Sequence, residues 1–327
     1  MIKFFRQSYI IQYVVIALLA IILWAPAFVS GKATMGMDEH VTPIFNLVSR
    51  LLGPSAILQH IVAFVLLVIE TLLFNAIMVK NQIVGKVSSM GAFVFVLMMS
   101  MTQTQTNFYP FGLSLIFLLL MLKNLYDAYL QPDAELFLLR SGVFLALATM
   151  CYFPSIVLIV WMLVVLPMNK KGSARFLMIP LFGFCFVYFM YFVGVFLFGD
   201  FQSLLDGYSE YFSTLQLTVE GFNLRTIILL SVILVSVVFL FLGSNNANFE
   251  KAVSVRTKIS MAFIMAFFGI LLLFVGNNVL MNGLIFMVLS ILVSYVFSYM
   301  GNTGWANLML TVFILLVLVN HYYFKLL

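Results

Sequence analysis

The chain has 327 residues, of which 64% are hydrophobic, 16% aromatic and only 8% charged, against roughly 25% charged in an average soluble domain. That composition excludes a water-soluble globule. A mean hydropathy of +1.17 makes the bilayer-spanning helix of about 20 residues the natural unit. Sixteen Lys+Arg against 11 Asp+Glu leave a net charge of +5, which in a membrane protein reads first as topology rather than as a nucleic-acid surface.

Taken in chain order, Lys3 and Arg6 precede an apolar stretch over 9–29, the charge arrangement of a secretory signal. The stretch is longer than the about 7–15 residues of a signal's apolar region, and no clean small-x-small cleavage site follows, so it reads as a first transmembrane helix. Further spans are predicted near 56–79, 88–106, 111–128, 136–152, 154–168, 176–198, 226–243, 259–275, 279–299 and 303–320, from apolar runs bounded by turn residues. The pairs 88–128 and 136–168 read as helical hairpins, turned at Thr102-Gln103-Thr104-Gln105-Thr106-Asn107 before Pro110 and at Tyr152-Phe153-Pro154. The expectation is an all-α, polytopic membrane protein of about eleven spans, in one membrane domain over 1–327 with no sizeable soluble domain between spans.

Cytoplasmic loops collect Lys and Arg. With the N-terminus inside, that side receives Lys3, Arg6, Lys80, Lys86, Lys123, Arg140, Lys170, Lys171, Arg175, Lys251, Arg256 and Lys258, twelve of the sixteen. The opposite side keeps Lys32, Arg50, Arg225 and Lys325. The predicted orientation therefore has a cytoplasmic N-terminus.

Two outward loops, 31–55 and 199–225, are longer than a turn needs. The first carries Ile44, Leu47, Val48, Leu51 and Leu52 at helical spacing. The second carries Leu204, Leu205, Tyr208, Tyr211, Phe212 and Leu215, with Asp206, Glu210 and Glu220 interleaved. Both read as helices lying in the interface plane, at 41–52 and 201–216.

Phosphate-binding glycine loops, zinc-ligand spacings and nucleophile elbows are absent from the sequence. Cys151 and Cys185 lie in apolar segments and suggest neither a disulfide framework nor a metal site. The strongest polar cluster is Asp38-Glu39-His40, just beyond the first span. Its carboxylates fit a general base, or ligands for a divalent cation bridging a substrate diphosphate; they equally fit solvated acids at the start of a helix. Arg50 and Arg225 are the outward cations available to a phosphate. Glu70 lies near the middle of the second span, where an ionised acid costs roughly 2.5–3.5 kcal/mol, so it should face the bundle or a wet cavity as a proton or cation site, or as a protonated, hydrogen-bonded acid. Asn75 lies five positions further on, about 140° round the helix, and is a poor partner for it. The turn at 102–107 offers uncharged hydrogen-bonding groups, as a hairpin turn or as a sugar or peptide surface.

The Met1-Ile2-Lys3-Phe4-Phe5-Arg6 start, Leu73-Phe74-Asn75, Tyr152-Phe153-Pro154 and Phe182-Gly183 resemble a bacterial family of polytopic inner-membrane proteins defined as a domain of unknown function. The acidic residues after the first span, followed by a loop helix over Ile44 to Leu52, are distantly similar to the membrane part of GT-C glycosyltransferases, which use lipid-phosphate sugar donors. That similarity implies an outer-face site in which Asp38 or Glu39 is the catalytic base or cation ligand and His40, Arg50 and Arg225 bind the donor. The chain departs from the pattern in having no large outer domain. Three function classes remain open: a GT-C-like enzyme acting on a lipid-linked donor, a noncatalytic membrane subunit of an envelope secretion or biogenesis complex, and a transporter using Glu70. Transport has the least support, because no pair of Gly/Pro-interrupted spans marks corresponding halves.

Overall fold

The computed structural model describes residues 1–30, 42–101, 106–129, 131, 133–168, 172–214, 253–273, 282–300 and 303–322, and among these all regular structure is helical. In chain order the helices are α1 (Ile2–Phe5), α2 (Ile10–Ser30), α3 (Pro43–Leu52), α4 (Ala56–Lys80), α5 (Met90–Met99), α6 (Pro110–Ala128), α7 (Glu135–Cys151), a 3-10 turn (Phe153–Val157) running into α8 (Leu158–Met168), α9 (Ala174–Phe198), α10 (Phe201–Thr214), α11 (Val253–Leu273), α12 (Asn282–Tyr299) and α13 (Thr303–Tyr322). The span expected at 226–243 lies outside the described residues. Among the described residues, five helices are long and apolar enough to cross a membrane: Ile10–Val29, Ala56–Lys80, Pro110–Ala128, Ala174–Phe198 and Val253–Ile270. These support a multi-pass membrane protein, whereas several other predicted spans fall on shorter helices.

The segment expected to span at 88–106 contains only the ten-residue α5, about 15 Å long. All ten of its residues are buried, with α12 and α4 packed along it. A half-length helix is tolerated at membrane depth when protein surrounds it.

The helix α4 shows how the pattern works at a single element. His60, Ala63, Leu67, Glu70, Phe74 and Ile77 recur at three- and four-residue steps and are buried, while Ile57, Ile61, Val65, Val68 and Leu72 are exposed. An apolar outer face suits lipid, which leaves the helix's polar residues no place but the interior. The α7–α9 contact is tighter still. A Cβ on Gly142 would collide with the Pro180 carbonyl, and one on Gly183 would lie 2.6 Å from the Leu139 carbonyl oxygen, the small-residue packing that lets membrane helices touch backbone to backbone.

The two ends of the bundle differ in chemistry. At one end Lys80 Nζ lies 2.7 Å from Asp127, Arg175 pairs with Glu135 at 2.6 Å, and Lys258 Nζ donates to Asn81 Oδ1 at 2.8 Å beside the rings of Tyr126 and Tyr129. Arg6 closes α12 there by donating to the Phe297 and Met300 carbonyls at 2.9 and 2.6 Å, satisfying groups a helix C-terminus leaves open. At the opposite end, where α6 begins and α7 ends, an aromatic layer carries the interface helices. Phe45 of α3 stacks on Phe108 at 5.2 Å. Phe111 meets Tyr109 and Tyr152 at 6.3 and 5.6 Å. Phe153 holds Tyr208, Tyr211 and Phe212 of α10 at 5.5, 5.2 and 5.8 Å.

Helices therefore form at both positions that the apolar spacing predicts, Pro43–Leu52 and Phe201–Thr214. Phe45 anchors α3, with Val48 and Leu52 of the predicted stripe packed against the core beside it. Leu47 and Leu51 of the stripe are 60% and 78% exposed and face outward.

Candidate functional site

Directly beneath the aromatic layer lies a small chamber. Trp24 of α2, Ala63, Leu66, Leu67 and Glu70 of α4, and Met99 at the end of α5 form part of its wall. Asn107, Phe108, Tyr109, Gly112 and Leu113, where the chain enters α6, complete it. It offers about 20 Å³ to the centre of a water-sized molecule, and a single water needs roughly 10–15 Å³ by that measure.

Among the described residues Glu70 is the one acid of the chamber wall, and it is 3% exposed. Its Oε1 has no hydrogen-bond partner among the described residues. Its polar neighbours are otherwise provided for. Thr71 donates to the Leu67 carbonyl at 2.7 Å, and Trp24 Nε1 donates to Ser100 Oγ at 3.1 Å. Asn75 Nδ2 donates to Tyr13 Oη at 3.0 Å and to the Ser88 carbonyl at 3.2 Å, while its Oδ1 accepts from the Ala92 backbone N–H at 3.1 Å. Asn75 thus caps the start of α5 from a different helix, which makes it unavailable to Glu70.

The start of α6 gives the chamber its polarity. Pro110 opens the helix without an N–H to orphan, and Gly112 follows in the first turn. The missing Cβ of Gly112 leaves room for the Tyr109 ring, whose Cε1 lies 3.1 Å from where that Cβ would be. A helix N-terminus carries a partial positive charge, here facing a carboxyl in apolar surroundings. Burial holds the Tyr109 phenol pKa well above its ordinary value, and the neighbouring Glu70 and Tyr152 act the same way. Tyr152 is likewise pushed up by burial, so both phenols stay neutral.

The residues expected at the site divide sharply. Glu70 lies in the chamber. Arg50 is on the exposed last turn of α3, outside the chamber wall. Asp38, Glu39, His40 and Arg225 lie outside the described residues, and so does the cation site expected of the carboxylates. His60 is buried in α4 with its ring edge-on to Phe28 at 5.8 Å, and it too is outside the chamber wall. Thr102, Gln103, Thr104 and Gln105 of the predicted outer turn lie outside the described residues. Asn107 of that turn lines the chamber instead of an outer surface.

Sequence reasoning names Asn107 only as part of the turn at 102–107 and gives no role to Trp24 or Tyr109. The chain matches no family model, no curated protein and no solved structure, so its own geometry carries the functional argument.

Proposed function

We propose that the chain is a multi-pass protein of the bacterial inner membrane, with a cytoplasmic N-terminus, that serves as a noncatalytic membrane subunit of an envelope secretion or biogenesis assembly. The charge-polarised bundle supports the orientation, since its basic end gathers residues that the positive-inside rule assigns to the cytoplasm. The observation that carries the functional reading is the filled aromatic end. Phe45, Phe108, Tyr109, Phe111, Tyr152 and Phe153 are each at most 6% exposed, and the chamber beneath them admits about one water. A pocket for a drug-sized ligand runs to about 300–1,000 Å³, the scale a sugar linked to a lipid diphosphate requires. The apolar side chains that α3 and α10 leave exposed over this layer, Leu47, Leu51, Leu205 and Phe212, suit docking of another membrane protein.

One observation favours a second reading, a GT-C-like transferase acting on a lipid-linked donor. The helices α3 and α10 dock on the same end of the bundle, and in sequence Asp38 and Glu39 immediately precede α3 while Arg225 follows α10. A divalent cation held by those carboxylates, with Arg50 and Arg225 on the phosphates, is the arrangement this reading requires.

Complementation of a deletion strain by Asp38→Asn with Glu39→Gln separates the two. Full complementation is expected of the assembly subunit. A double mutant that is expressed and folded yet inactive overturns that reading in favour of the transferase.

A further inference from the structure

We propose that Glu70 and the chamber beside it form a proton-exchange site, in which one water molecule bridges the Glu70 carboxyl and the start of α6. Three observations converge on it, and none depends on what the protein assembles with.

The first is the orphaned oxygen. Buried polar groups are almost always satisfied; Thr71, Asn75, Ser100 and Ser114 have partners, whereas the Tyr152 hydroxyl and both His60 ring nitrogens have none among the described residues. Glu70 Oε1 has none among the described residues. A carboxyl with a purely structural role spends its oxygens on neighbouring donors, as Asn75 spends its amide.

The second is room. The chamber's volume suits one water, and the polar groups around it, Glu70 and Asn107 with the backbone entering α6, can supply the two to four hydrogen bonds such a water needs. A dehydrated calcium ion demands about six or more oxygen ligands, more than the described residues of the wall offer.

The third is balance between the two protonation states. Walls built from Trp24, Ala63, Leu67 and Leu113 favour the neutral acid. The N-terminal end of α6 favours the carboxylate. The titratable group facing Glu70 from another element is Tyr109, with Tyr152 behind it, and both are held neutral by burial. Neither α2 nor α5 contributes a titratable side chain to the wall. In the exchange, the Glu70 O–H bond breaks as the water gains the proton, giving a carboxylate and a hydronium, and the reverse step restores the acid. The site thus takes a proton as its ligand.

The test is isotope-edited infrared spectroscopy of the full-length protein in lipid vesicles, with 13C-labelled glutamate, titrated from about pH 5 to about pH 9, a range that spans documented buried carboxyls. Expected is a protonated-carboxyl band at the acid end that shifts in heavy water, falls at least tenfold in intensity and returns reversibly, and is absent from Glu70→Gln. Glu70→Asp, which keeps the acid one methylene shorter, should show the band displaced in frequency; it serves should the Gln variant not fold. A band that persists unchanged across the range and does not exchange in heavy water identifies a locked structural acid and overturns the proposal. So does a titration displaced by sodium or lithium ions, which identifies an alkali-cation site, and so does the absence of any band assignable to Glu70.

Discussion

At the residue scale, buried polar side chains in this protein either tie helices together or face the chamber, and substitutions should separate the two roles. Glu70→Gln keeps the shape and removes the charge, so folding should be retained, with a melting temperature in detergent close to the parent's. Glu70→Lys places a cation beside the positive end of α6 and deep in apolar surroundings, where about 2.5–3.5 kcal/mol is lost; a clearly lowered melting temperature or loss of a monodisperse peak in size-exclusion is expected. Asn75→Ala should cost about 1–3 kcal/mol, because it leaves the Ala92 N–H at the start of α5 without its acceptor. An equilibrium unfolding titration in mixed micelles that shows no change would refute this capping role. The position of Glu70 inside the bundle is legible in the sequence, since hydrocarbon gives an acid nowhere else to go. The role of Asn75 is not, because a cap supplied by the preceding helix has no periodic signature.

At the element scale, two contacts decide the packing. The α7–α9 crossing depends on Gly142 and Gly183, which admit the Pro180 and Leu139 carbonyls. Gly142→Leu should push the helices apart and cost about 1–3 kcal/mol or more, seen as a lowered thermal midpoint and as lost cross-linking between cysteines introduced across the crossing. Arg6 joins the N-terminal segment to the end of α12 through charge-assisted hydrogen bonds, each worth about 1.5–3 kcal/mol. Arg6→Ala should destabilise by about that amount, and Arg6→Lys should recover only part of it, since a lysine lacks the fork that reaches both carbonyls. In the sequence Arg6 shows only as one of the charges that set orientation. Most helix positions are legible because apolar runs and turn residues delimit them. The length of α5 is not, because an apolar run buried inside protein has the same composition as one that meets lipid.

At the scale of the whole molecule, the bundle has one basic end and one aromatic end, which the proposed orientation sets on opposite sides of a membrane. The twelve-to-four division of Lys and Arg makes this polarity legible from the order of the residues alone, and the helix directions place the described charged pairs accordingly. The docking of α3 and α10 through a shared aromatic layer is not legible in the same way, since it depends on contacts among residues far apart in the chain, such as Phe45 with Phe108. The aromatic end, which the proposed orientation sets outside, is the place where function should be sought, because the filled layer, α3 and α10, and the Glu70 chamber all gather there. The most direct measurement is labelling of single cysteines in intact cells with a membrane-impermeant maleimide, after replacement of Cys151 and Cys185. Ser173 and Ser209 are both exposed and lie beyond opposite ends of α9. Ser209→Cys should be labelled from outside and Ser173→Cys only after the membrane is opened; labelling of Ser173→Cys in intact cells with protection of Ser209→Cys would contradict the proposed orientation.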